Sequence, residues 1–478
     1  MLFLNKPQES LSRLTDKGNK YLLPLALFLV GIAHWAVFYN FGNLDFTAYD
    51  WRMQFAYNST VKQALASATV PYHISEFFQT TDRFLGLPET LLSPQSVFLR
   101  WLDVGSFLVL NNMFMFAVGF LGCLQIRKRY SLSAVPFTML FLLFNFNGYI
   151  TARVSVGHYS WMAYYLLPHL VLYLLELLEE KNSDRPVTKI SLVLFFIMLQ
   201  GGLHIFVFIH LFLLAFALFN RRYLKPYLWI LALSALLSSF RILPAAISLK
   251  GYAYISGYPT LFELFQALLT IKNYTYETFG FFGELGWWEY DVYIGILGFL
   301  ALAYFGVLVR LYKKYSLPKY DFPELDWPLI SISALSLGFF HAAIAMIPLP
   351  FFNSERVSSR FIIIPLVILI VLAAIRLQHF LSTIRLDYKK KLLLSLACLE
   401  IFSTLMTHSK AWRIVKIEAE RGFLDPHVIS IVNRPDKIYT DIVLFSSLLS
   451  LASLAAVLFL YVRGLPHFSK DKKITTAA

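Results

Sequence analysis

The sequence predicts an all-α polytopic membrane protein with about twelve transmembrane helices and large extracytoplasmic loops that carry short interfacial helices. Three observations lead there. Of 478 residues, 58% are hydrophobic and only 15% are charged, where a soluble chain carries about 25% charged residues. The mean hydropathy is +0.60. The apolar residues come in blocks, not in alternation. Crossing hydrocarbon takes ~20 apolar residues per helix, and backbone polar groups in lipid must be satisfied within the segment. A barrel would show ~10-residue alternating segments instead.

The blocks run 21–41, 104–126, 131–150, 161–178, 189–201, 203–219, 227–246, 292–310, 328–347, 361–376, 391–407 and 441–462. Residues 1–20 are polar and the first block is long enough to remain as a span, so no cleavable signal is expected. The 189–219 region is broken by Gly201-Gly202. It reads as one long tilted helix or as a hairpin, and charge decides between them. With a hairpin, Arg127-Lys128-Arg129, Lys181 to Lys189, Arg221-Arg222, Arg310 to Lys319, Arg376 to Lys391 and Arg463 to Lys473 all fall on the side of the N-terminus. That is the positive-inside pattern. The expectation is a single transmembrane domain over 1–478 with both termini cytoplasmic. Extracytoplasmic loops fall at 42–103, 247–291 and 408–440, with shorter ones at 151–160 and 348–360.

The net charge of +13 would point to nucleic acid in a soluble chain. Here the basic residues fix orientation, and no nucleic-acid partner is expected. Cys123 and Cys398 lie in apolar runs and read as small buried hydrophobes, without zinc spacing or a disulfide framework. No Walker loop, GxGxxG, HExxH or GxSxG occurs, which removes support for ATP-driven transport and soluble-type hydrolysis.

The long outer loops are rich in aromatic residues, including Trp51, Trp101, Trp287 and Trp288. Ordered loops of this length carry function, although Tyr and Trp also form interfacial belts. Stretches 59–69 and 259–271 mix apolar and polar residues at helical spacing and read as interfacial amphipathic helices.

Several features can carry chemistry. Asp45 and Asp50 lie five residues apart directly after the first span. A half-buried acid there can serve as a general base, and the pair can also hold a divalent cation. The short loop with Arg153 and His158 offers cations to a phosphate, or else an interface anchor. Arg241 stands near the outer end of a helix, and Arg356 and Arg360 open another among serines, where free N–H groups favour an anion. Glu284, Trp287, Trp288 and Glu289 place carboxylates beside aromatic rings, which suits a sugar as well as a belt. His204 and His210, six residues apart, do not share a helical face and read as buried hydrogen-bonding groups.

The layout resembles the GT-C superfamily of membrane glycosyltransferases, most closely its bacterial YfhO-like branch. The resemblance runs through Asp45–Asp50, Val70-Pro71-Tyr72, Leu85-Gly86-Leu87-Pro88, the Gly157-His158-Tyr159-Ser160-Trp161 loop, Tyr293-Ile294-Gly295 and Ser359-Arg360-Phe361. Trp287-Trp288-Glu289-Tyr290 echoes the WWDYG signature of oligosaccharyltransferases. The resemblance implies a location in a bacterial inner or plasma membrane. It also implies sugar transfer from a polyprenyl-phosphate-linked donor to an acceptor on the extracytoplasmic side. Asp50 or Asp45 would be the base. Arg153, His158, Arg241, Arg356 and Arg360 would hold the donor phosphate, with Glu284, Trp287, Trp288 and Glu289 at the sugar or acceptor. The alternatives are a lipid-linked saccharide flippase or transporter, and a non-catalytic GT-C-like subunit of a membrane complex.

Overall fold

The computed structural model describes residues 7–75, 81–180, 184–248, 257–278, 284–310, 320–345, 357–384, 387–421, 429–432 and 434–463. Each of the twelve apolar blocks forms helix. Their lengths divide them. Seven helical segments are long and apolar enough to cross a bilayer: Tyr21–Phe38, Val104–Tyr130, Ala134–Ser155, Tyr159–Glu179, Ser358–Thr383, Tyr388–Glu420 and Lys437–Phe459. An eighth arises if Arg221–Leu237 and Ser239–Ala246, bent by 78° at Ser238, count as one span. The other four blocks give shorter helices. Asp184–Leu199 has 16 residues and Leu203–Phe219 has 17, about 24 to 26 Å at 1.5 Å per residue. Gly295–Val307 turns π-helical from Leu302. The 326–345 block breaks into Asp326–Leu335 and Gly338–Ala345.

Gly201 has φ +77°, a conformation that side chains with a Cβ resist, so the Asp184–Leu199 and Leu203–Phe219 helices meet at a tight turn. The 189–219 region is therefore two helices, as the charge pattern requires.

Burial sorts the spans into a centre and a rim. The most apolar stretch of Ser358–Thr383 is 89% buried, whereas those of Tyr21–Phe38, Tyr388–Glu420 and Lys437–Phe459 are each 22% buried. A helix apolar on all sides and covered on all sides is the axis of the bundle, and helices with outward Leu and Phe are its lipid-facing wall.

The loops separate into two ends. At one end lie the basic connections. Arg129 pairs with Glu179 at 2.5 Å, Arg222 with Glu324 at 2.5 Å, and Ser133 N–H donates to Gln378 Oε1. At the other end the long loops meet. His73–Ile74 pairs antiparallel with Ile431–Val432, joining the first large loop to the last. Arg83–Asp436 (2.8 Å) and Arg434–Asp82 (2.9 Å) flank that pairing. The first and last spans both present their loop ends here, so their chain-terminal ends point to the opposite end.

The 59–69 and 259–271 stretches fall in helices, Trp51–Ser67 and Leu261–Leu269, and the first begins eight residues before its stretch and buries one face in the protein. The second opens on a capping box between Thr260 and Glu263, which satisfies the free N–H groups of its first turn. The two short sheets, β1 (His73–Ile74) with Ile431–Val432 and Tyr276–Thr278 with Glu284–Gly286, have too few residues to show alternation in sequence. Asn58, within Trp51–Ser67, is 2% exposed and donates to Gln54 O.

Candidate functional site

Four of the loops and one helical hairpin bring Asp50, Glu89, His158, His204, Glu289 and Arg360 together in one cluster, with Asp50 at its solvent edge. Asp50 is the N-cap residue of Trp51–Ser67, yet its carboxylate makes no capping hydrogen bond. It turns instead toward His158, whose Nε2 lies 3.1 Å from Asp50 Oδ2. The backbone holds this alignment. Asp50 N–H donates to Val156 O at 3.0 Å, and Trp51 Nε1–H donates to Ser155 O at 3.0 Å. Between them Gly157 has φ +84° and lies so close to Trp51 that an added Cβ would sit 2.2 Å from its backbone nitrogen. The 42–50 and 156–158 segments therefore pass each other with no room for a side chain.

Behind His158 lies a buried ion cluster. Arg360 donates to both oxygens of Glu289, from Nε at 2.8 Å and from Nη2 at 2.6 Å. Arg153, with a fully buried side chain, reaches Glu289 Oε2 at 3.8 Å and donates to Glu289 O at 3.1 Å. Ser359 Oγ–H donates to the same carbonyl at 2.6 Å. His158 Nε2 stands 3.9 Å from Glu289 Oε1, so one imidazole faces both Asp50 and Glu289. Trp161 packs against the cationic side of the cluster. The Arg153 guanidinium lies 5.3 Å from its ring and that of Arg360 5.5 Å, and His204 stacks on it at 5.8 Å with 5° between planes.

Glu89 completes the cluster. It lies deep in the molecule, half-buried, within electrostatic reach of Asp50, His204, His158 and Arg360. Its loop is held by Arg241, which donates to Leu87 O at 2.6 Å, Thr90 Oγ1 at 2.7 Å and Thr90 O at 2.5 Å. On the other flank, a Cβ on Gly201 would come within 2.9 Å of Glu89 O, so the hairpin turn presses on this loop.

The two buried carboxyls are driven in opposite directions. Burial pushes the Glu89 carboxyl above the usual glutamate range, and the Asp50 charge pushes the same way, more than the nearby His and Arg groups offset. Burial also works against the charge on Glu289, but Arg360, His158 and Arg153 outweigh it and hold that carboxyl well below the usual range. Carboxyls of one cluster driven in opposite directions by their surroundings mark a candidate acid–base site.

The remaining candidates lie as follows. Asp45 is exposed and near Glu418, away from the cluster. Arg241 is fully buried, with two guanidinium nitrogens on the 87–90 loop. Arg356 lies outside the described residues. Glu284 is exposed on the Glu284–Gly286 strand. Trp287 is buried beneath Lys272, whose Nζ stands 4.2 Å from its ring. Trp288 meets Tyr49 edge-on at 4.8 Å beside Asp50. Of the acidic–aromatic group only Glu289 enters the cluster. His210 has the buried hydrogen bond expected of it, with Ser234 Oγ at 3.0 Å, whereas His204 is part of the cluster. Among the described residues, no group of three or more His, Cys, Asp and Glu side chains is placed to hold a metal ion.

Glu89 carries no signal of its own in the sequence. One acid after Leu87-Pro88 looks like any other loop carboxylate, and its loop is held in place by residues more than a hundred positions away, Arg241, Gly201 and Tyr439 among them.

No family model matches this chain, and no curated protein or solved structure matches it.

Proposed function

We propose that this chain is a GT-C-type membrane glycosyltransferase that moves a sugar from a polyprenyl-phosphate donor to an acceptor hydroxyl on the extracytoplasmic side. One observation carries the reading. Asp50, with a side chain 49% exposed, leaves its helix cap unmade and sits against His158 above a buried Glu289–Arg360 pair. A carboxylate open to solvent on one side and ordered on the other is placed to take a proton from an incoming hydroxyl. The deprotonated oxygen then attacks the anomeric carbon, the bond to the donor phosphate breaks, and the configuration inverts in a single displacement.

His158 is the group at the mouth that can meet the leaving phosphate. Arg360 and Arg153 stand behind it with donors on Glu289, and they support its position and the local positive field. Glu89, kept protonated to higher pH by burial and by Asp50, supplies a hydrogen-bond donor beside that phosphate.

Purified protein, a radiolabelled polyprenyl-phosphate sugar and an acceptor pool test the reading. Asp50→Asn is expected to lower transfer by at least about 10²-fold, within the range for losing a general base, at unchanged folded yield. Asp45→Asn is expected to retain transfer within a few-fold. Full activity in Asp50→Asn removes the assignment. The engagement of Arg153 and Arg360 by Glu289 favours a second reading, a scaffold that binds lipid without reacting. Donor binding without transfer by the wild-type chain would select it.

A further inference from the structure

A cavity of about 1060 Å³ lies away from the cluster around Asp50. The Val104–Tyr130, Leu167–Glu179 and Asp184–Leu199 helices form its walls, with Leu458 and Tyr461 of the last span closing one side and the 94–98 segment its roof. Leu110, Phe114 and Phe196 line it and are also exposed on the outside of the bundle, so it opens sideways toward lipid. Lys189 and Gln200 both line it, eleven residues apart on the Asp184–Leu199 helix and the turn that follows, about 16 Å at 1.5 Å per residue.

Two residues of the lining, Asn111 and Gln200, carry buried acceptor atoms behind the apolar wall. The Tyr159 hydroxyl donates to Leu108 O at 2.9 Å and so accepts from Asn111 Nδ2 at 2.8 Å. That orientation leaves Asn111 Oδ1 as the amide's acceptor, and it has no partner; Gln200 Oε1 has none either. Both residues are more than nine-tenths buried. A buried carbonyl without a donor is costly, so each calls for an O–H or N–H group. Among the described residues the one charged side chain in the lining is Lys189, and Glu176 already pairs with it at 2.7 Å. Nothing at the roof suits a phosphate.

We infer that this cavity binds one uncharged bilayer lipid with a free hydroxyl at its polar–apolar junction. Its chains lie along the phenylalanine and leucine walls, and its hydroxyl donates to Asn111 Oδ1 or Gln200 Oε1. The site is separate from the cluster around Asp50. Leu92 N–H donates to Leu199 O at 3.1 Å, and this backbone bridge together with Gly201 stands between the cavity and Glu89. The inference does not depend on sugar transfer.

The test uses the full chain in lipid nanodiscs, with bound lipid read by native mass spectrometry. The probes are a diacylglycerol and the same molecule with its hydroxyl acetylated. The expected result is about tenfold stronger retention of the free alcohol, the effect of one buried hydrogen bond. Asn111→Leu combined with Gln200→Leu should abolish that preference but keep chain binding, and Leu110→Trp should weaken both lipids. Equal retention of the two lipids by the wild-type protein, retention of neither, or a preference that survives in the double variant each overturns the inference. The wild-type comparison decides alone if a variant does not fold.

Discussion

Glu289 shows how much one side chain organises. It accepts two hydrogen bonds from Arg360, lies beside His158, and offers its carbonyl to Arg153 and Ser359. Removing one partner of a buried ion pair leaves the other charge without compensation, at about 3–5 kcal/mol. Glu289→Gln is therefore expected to lower the thermal midpoint by several degrees and to weaken transfer. Glu289→Gln with Arg360→Met is expected to cost less than the sum of the single changes, which a double-mutant cycle in thermal melts measures. The pH dependence has a definite sign. Glu289 is held below the usual carboxylate range, so the stability it adds is complete above about pH 5 and is lost as pH falls through its lowered folded value. Acid unfolding that is unchanged in Glu289→Gln would refute that contribution. Asp50, His158 and Glu289 were all legible in sequence as polar residues beside spans. Their mutual distances were not, because residues 50, 158, 289 and 360 meet only through tertiary folding. Arg153 and Arg360 read in sequence as loop cations open to an anion, whereas both are already engaged by Glu289.

At the scale of elements, the hairpin at Gly201 and the loop at Glu89 form one unit. An alanine at 201 would adopt φ +77° at a cost of order 1–3 kcal/mol and would press on Glu89 O. Gly201→Ala is expected to lower stability by that order and to reduce transfer more than Asp45→Asn does, since it shifts a group in the cluster. Stability and activity measured together check it; a loss of stability with full transfer would uncouple the turn from the site. The two-helix reading of 184–219 was accessible from charge and from the Gly-Gly pair. Helix length was harder to read. Block boundaries in sequence do not reveal where a helix bends, as at Ser238, or where it breaks, as at Ser336-Leu337, because neighbouring helices decide which backbone groups find partners. The helical character of 59–67 and 261–269 was visible as mixed apolar and polar residues at helical spacing. The two-residue strand pairing was not, since two residues have no period.

For the whole molecule, composition already required a multi-pass membrane protein, and the structure adds a division into two ends. The long loops gather at one end and the basic connections at the other, which supports an extracytoplasmic site. In a Cys398→Ser background, Val70→Cys on the loop side is expected to react with a membrane-impermeant maleimide on intact cells. Lys128→Cys on the basic side is expected to react only after permeabilisation. The reverse pattern would invert the orientation.

The clasp between the first and last long loops bears on how the protein is made. The Glu89 loop leans on residues synthesised far later: Arg241 from the middle of the chain, and Tyr439, whose hydroxyl accepts from Gly86 N–H. Arg83, on the same loop, waits for Asp436. A ribosome that has inserted only the early spans has therefore made Asp50 and Glu89 without the groups that bring them together. The cluster is among the last parts of the protein to assemble, so a prematurely terminated chain would be inserted in the bilayer but chemically silent.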